Sequence, residues 1–193
     1  MTLPAHLRLP LARRFQQNLS LIAANATVPL LRAFEHLDTY DESQVAQFAA
    51  SANPTLAATK SAAVRQASGY YSLVTGIRPP PIVPDDVNTV AAVRDPFISI
   101  WQALASGNDY ADAVAAGGAR VGAVAANFIA SSARQTGDVF VIKAHLPPPR
   151  WERIPDSGAC QWCIDVSGDT FGSAEAADIG HDRCNCTISP VLL

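Results

Sequence analysis

The stretch 160–186, CQWCIDVSGDTFGSAEAADIGHDRCNC, holds all four cysteines of the 193-residue chain. They fall as C-x2-C and C-x-C, and His181 stands three residues before Cys184. Thiolates and an imidazole, in two short clusters parted by a loop, are a donor set for tetrahedral zinc. Cys160, Cys163, His181, Cys184 and Cys186 offer five donors for four positions. The first choice is Cys160, Cys163, His181 and Cys184, with Cys186 as the substitute for His181. Disulfides are the alternative, because an even cysteine count suits both chemistries. A catalytic zinc needs an open coordination position and usually a carboxylate base beside it. Asp182 is close in sequence, but nothing in the pattern sets it over a metal. A structural zinc is therefore the expectation.

Around this stretch the pattern is that of a small α+β module with short strands. Upstream, DVFVIKAHL is a β-branched run that predicts a strand over 139–144. Pro147 to Pro149 turn the chain, and RWERI (Arg150–Ile154) alternates enough for a second strand at a sheet edge. Pro155, Asp156, Ser157 and Gly158 make a turn that presents the first cysteine pair. After Cys163 the segment IDVSGDTFG reads as loop, 173–177 as one helical turn, and 187–192 as a final strand. So small a patch has little core, and a metal clip would add strongly to its stability.

The rest of the chain reads as helix. Over 10–37, Ala12, Phe15, Leu19, Ile22, Ala26, Leu30 and Phe34 recur at steps of three and four, which puts them on one face. Pro10 fits a first turn, while Pro29 predicts a kink or break, with Asn25 or Thr27 capping the restart. A second helical region covers 41–74, capped by Asp41 or Ser43, interrupted at Asn53-Pro54 and stopped by Gly76. Tyr70 and Tyr71 are expected packing anchors. IRPPPIVPDD (77–86) is a stiff spacer. Helix resumes near Val87 or Pro96, with Phe97, Ile100, Trp101 and Leu104 on one face. A further helix is capped by Asn108 or Asp109, and Tyr110, Val114, Val121, Val124 and Phe128 mark its buried side. Gly117, Gly118 and Gly122 weaken that helix and suggest close approach of another backbone. The expected division is alanine-rich helices over 1–76, a linker over 77–86, a helical middle over 87–137 and the cysteine module over 138–193. The fold class is α+β, with an elongated, mainly helical N-terminal region followed by the module.

The formal net charge is -3, so the whole chain lacks a nucleic-acid signature. The distribution is uneven. Residues 1–34 contain Arg8, Arg13, Arg14 and Arg32 and no acidic residue, whereas 138–193 hold eight acidic residues against four basic ones. The partner-binding candidates are Arg13, Arg14 and Phe15, on an amphipathic helix suited to an acidic partner surface or DNA. No secretory signal is visible. No stretch is expected to cross a bilayer; 111–133 comes nearest, but Asp112, Arg120 and Asn127 interrupt it.

The C-terminal third resembles the head-morphogenesis domain of Mu F-like minor capsid proteins of tailed phages. The shared pattern is a basic or aromatic strand, C-x2-C, a spacer and H-x2-C-x-C, here Trp151 to Arg153, Cys160, Cys163, His181, Cys184 and Cys186. The stretch RDPFISIWQALASGNDYADAVAAGGARV and the alanine-rich region ending in GYYSLVTG are similar to those of actinobacterial phages. Asp182 and Asn185 depart from the proline and arginine common at those places. The resemblance implies a minor head component in the virion, near the portal vertex. Its partners would be the portal, the major capsid protein or packaged DNA, with no membrane and no small-molecule substrate. Some relatives carry a fused enzyme, and a chain ending at Leu193 leaves no room for one, so a non-enzymatic protein is expected. The alternatives are a zinc-dependent hydrolase and a DNA-binding adaptor. The sequence lacks H-E-x-x-H, the zinc-deaminase combination and a G-x-S-x-G elbow, and the acidic module argues against the adaptor.

Overall fold

A computed structural model of the chain describes residues 5–78, 82, 89–144, 150–155, 159–172, 177 and 186–191. The elements are α1 (Ala5–Glu35), α2 (Glu42–Thr75), α3 (Thr89–Val93), α4 (Asp95–Ala105), α5 (Tyr110–Lys143), β1 (Arg150–Ile154), α6 (Gln161–Asp165), β2 (Thr170–Phe171) and β3 (Thr187–Val191). The chain is α+β: a helical region, then a small strand-containing region that carries the cysteines. Most of the spacer 77–86 lies outside the described residues. The chain clusters into two compact units, 1–20 with 62–84 and 130–193, and 21–61 with 85–129. Each of the three long helices contributes to both.

Several helix ends follow the sequence chemistry. Asp41 Oδ1 accepts the Ser43 backbone N–H at 2.8 Å at the start of α2, and Asp109 Oδ1 accepts that of Asp112 at 2.8 Å at the start of α5. Gly76 closes α2 with a φ of 69°, as a left-handed stop requires. The prolines behave otherwise. α1 begins at Ala5, so Pro10 is past its first turn, and α1 and α2 run unbroken through Pro29 and Pro54. Both prolines are exposed, as are Asn25 and Ala50, whose carbonyls lose their helical donors and can turn to water. Burial of Ala26, Leu30, Ala52 and Leu56 offsets the cost. Thr27 caps no restart; its hydroxyl donates to the Ala23 carbonyl at 2.9 Å.

In the unit of 21–61 and 85–129, Phe34 is the hub. It meets Phe48 at 5.3 Å and Phe97 at 5.5 Å, both edge-on, the favoured aromatic arrangement. Trp101 packs against this core and donates from Nε1 to the Tyr40 carbonyl at 2.8 Å. Leu104 and Tyr110 are exposed, so the expected apolar faces end earlier than predicted. Gly117 is a close-approach glycine: an added Cβ would stand 2.6 Å from Ile100 Cγ1. Gly118 and Gly122 would meet only ordinary contacts.

In the other unit, α5 overturns the strand predicted over 139–144. The helix continues to Lys143, and the Ala144 N–H reaches the Phe140 carbonyl at 2.9 Å. Ile129, Ala133, Thr136 and Phe140 are buried at helical spacing, and this packing overrides the local preference of Val139, Val141 and Ile142 for strand. Gly137 does not stop the helix; a Cβ there would lie 2.7 Å from the Tyr71 ring. By length and composition α5 is also apolar enough to cross a bilayer, contrary to the sequence expectation. A helix that packs against its own chain through Gly117 and Gly137 meets the same criterion.

The strands form one antiparallel sheet of order β2-β1-β3. β1 is its centre, not an edge: Trp151 pairs with Phe171 of β2 and Arg153 with Ile188 of β3. β2 lies within the segment expected to be loop, and β3 lies where the final strand was expected. The helices grip this sheet through polar ties. Gln16 donates to the Ile154 carbonyl at 3.0 Å, Tyr70 donates its hydroxyl proton to Ser189 Oγ at 3.0 Å, and Arg8 pairs with Glu152 at 2.8 Å. Burial pushes the Glu152 carboxyl above its ordinary pKa, against the pull of Arg8.

Candidate metal centre

The first cysteine pair is positioned by the five-residue helix α6. Cys160 precedes α6 in an extended conformation (φ -70°, ψ 164°), and its carbonyl accepts the Ile164 N–H at 3.2 Å. That single turn brings Cys163, buried inside α6, back beneath Cys160. Their sulfurs are 3.6 Å apart. A disulfide needs about 2.05 Å, so the two are not joined. Two sulfurs on zinc, each bonded at about 2.3 Å in a tetrahedron, stand about 3.8 Å apart. The pair therefore has the spacing of one edge of a zinc tetrahedron.

Cys186 is buried directly before β3. Among the described residues it does not complete a group of three metal-ligating side chains with the pair. His181 and Cys184 lie outside the described residues, as do the turns expected at 156–158 and 173–176. The donor chemistry fits zinc at Cys160 and Cys163, and the remaining places would fall to Cys184 with His181 or Cys186.

Arg153 belongs to this neighbourhood and was not singled out by the sequence. It is 2% exposed in β1, on the same face as Trp151. Its Nη1 donates to the Ala177 carbonyl at 2.6 Å, and its guanidinium lies 5.2 Å from the centre of the Trp162 ring. Trp162 separates the two cysteines of C-x2-C, so this cation–π contact holds the thiol-bearing turn to the central strand. In RWERI, the alternation that puts Trp151 inside puts Arg153 inside too; that was the available signal.

The partner-binding candidates divide. Arg13 and Arg14 are exposed on α1. Phe15 is buried and stacks parallel on Tyr70 at a centroid distance of 4.5 Å, so it serves the chain's own core and offers no apolar surface to a partner. Tyr70 and Tyr71 are buried, in keeping with their expected packing role.

Among the described residues these features amount to a helical region followed by a three-stranded sheet and a close pair of thiols. The chain belongs to the VG15 protein family, whose model matches residues 9–192. No curated protein and no solved structure matches it.

Proposed function

We propose that this chain is a structural minor capsid protein of a phage head, acting at the portal or inner head in assembly or DNA delivery. The observation that carries the proposal is the Cys160–Cys163 pair at 3.6 Å. The C-x2-C element that likens the chain to Mu F-like proteins has the sulfur spacing a zinc ion would need, which supports this reading. In this proposal Cys160, Cys163 and Cys184, with His181 or Cys186, hold a structural zinc. When bound, zinc would cross-link the α6 turn to the segment before β3 and stabilise a sheet whose strands have five, five and two residues. The role is mechanical rather than catalytic. The chain's own residues hold the turn through Arg153 on Trp162, and hold β3 through Tyr70 on Ser189. Arg13 and Arg14 face solvent and suit an acidic surface of the portal or major capsid protein, or packaged DNA.

The test is incorporation into purified heads. The wild-type chain should copurify with heads and with the isolated portal. Reversal of both charges, Arg13→Glu with Arg14→Glu, should lower association more at low salt than at high salt, because screening already removes part of the attraction. Absence of the wild-type chain from heads would overturn the proposal.

A further inference from the structure

The two thiols of C-x2-C differ in access although their sulfurs are in contact. Cys160 is half-buried and stands before α6, whereas Cys163 is fully buried inside it. A reagent in solvent therefore meets Cys160 first. Behind it, at 3.6 Å, lies the sulfur of Cys163. An outer thiol backed by an inner one lets the first sulfur capture an oxidant and the second resolve the product. Among the described residues Cys186, buried before β3, does not join the pair in a group of three metal-ligating side chains. The turn itself is anchored: the Cys160 carbonyl accepts the Ile164 N–H at 3.2 Å, and Trp162 lies against buried Arg153 of β1. Bringing the sulfurs to bonding distance, about 2.05 Å, takes rotation of the two side chains and leaves the anchored backbone in place.

We propose that Cys160 and Cys163 are a reversible redox pair, oxidised by a small-molecule disulfide to a bridge closed within C-x2-C and reopened by a thiol. The Cys160 sulfur gives up its proton and attacks one sulfur of the small disulfide. The S–S bond of the reagent breaks, a first thiol leaves with that proton, and a mixed disulfide stays on Cys160. The Cys163 sulfur then gives up its proton and attacks the Cys160 sulfur, and a second thiol leaves with it. The two cysteines lose two hydrogens and two electrons, and the reagent is reduced to two thiols. A bridged pair has no thiolate to offer a metal, so the oxidised and metal-holding states exclude each other. The redox step rests on the pair alone; only its coupling to metal release rests on the zinc reading.

The test treats the full chain, purified reduced, with oxidised glutathione. Remaining thiols are then alkylated, and the protein is unfolded and cut with trypsin. Cleavage after Arg153 and Arg183 separates the two clusters: 154–183 carries Cys160 and Cys163, and 184–193 carries Cys184 and Cys186. Peptide 154–183 should lose two hydrogens and resist alkylation, while 184–193 comes away unlinked to it. Dithiothreitol should restore both thiols. Limiting iodoacetamide on the untreated protein should label Cys160 before Cys163. Where the protein carries zinc, a colorimetric chelator should register its release in step with the loss of hydrogens. Oxidation of the pair in protein that holds no zinc overturns the zinc reading and upholds this one. Thiols that survive excess oxidised glutathione, a bridge joining 154–183 to 184–193, or labelling of Cys163 before Cys160 each overturn the redox pair.

Discussion

Tyr70 is buried between α1 and the sheet, and burial pushes its phenol from 10.0 up to about 12. A group with a raised folded pKa contributes stability that is fully present below its unfolded value. For Tyr70 that contribution is intact below pH 10 and is lost as pH rises through about 12. Tyr70→Phe should cost about 1 kcal/mol at neutral pH by orphaning Ser189. It should also remove the part of the alkaline loss that Tyr70 causes. Urea unfolding of both proteins from neutral to strongly alkaline pH measures the difference. Phe15→Ala should cost about 3–5 kcal/mol, read by the same unfolding, because Phe15 stacks on Tyr70. The sequence places Phe15 on an apolar face correctly, but periodicity does not say whether the chain or a partner covers that face. Arg153 shows the same limit: alternation points it inward, while its partners, Ala177 and Trp162, come from segments remote in sequence.

At the scale of the element, two helix-breaking signals have different fates. Pro29 lies on the outer surface of α1, where it removes one hydrogen bond and gives nothing back in packing. Pro29→Ala should raise stability by about 1–3 kcal/mol. Gly137 in α5 faces Tyr71, and a Cβ there would be 2.7 Å from the ring. Gly137→Ala should therefore destabilise by about 1–3 kcal/mol although alanine favours helix. Thermal unfolding of both variants checks the opposite signs. Caps at Asp41 and Asp109 and the stop at Gly76 were legible because each acts within a few residues. The end of α5 was not. Val139, Val141 and Ile142 prefer strand locally, and only burial of Thr136 and Phe140 by distant segments keeps them helical. The alternation of RWERI beside its prolines suggests an edge strand, but pairing with both β2 and β3 puts β1 at the centre of the sheet.

For the whole molecule, the α+β class and the order of helices before sheet follow from composition and period. The two units do not, because each draws segments from separate parts of the sequence and no linear cut finds them. The unit of 21–61 and 85–129 has its own aromatic core around Phe34. Cys160→Ser should therefore unravel the cysteine module while most helical circular dichroism survives, and a strong chelator acting on the wild type should reproduce that loss. In the proposed function Cys160 and Cys163 form part of a structural zinc site. Elemental analysis of protein purified reduced and without added metal tests it most directly. The prediction is about one zinc per chain, as a single tetrahedral site requires. Metal-free protein whose cysteines are protected as two disulfides would contradict it.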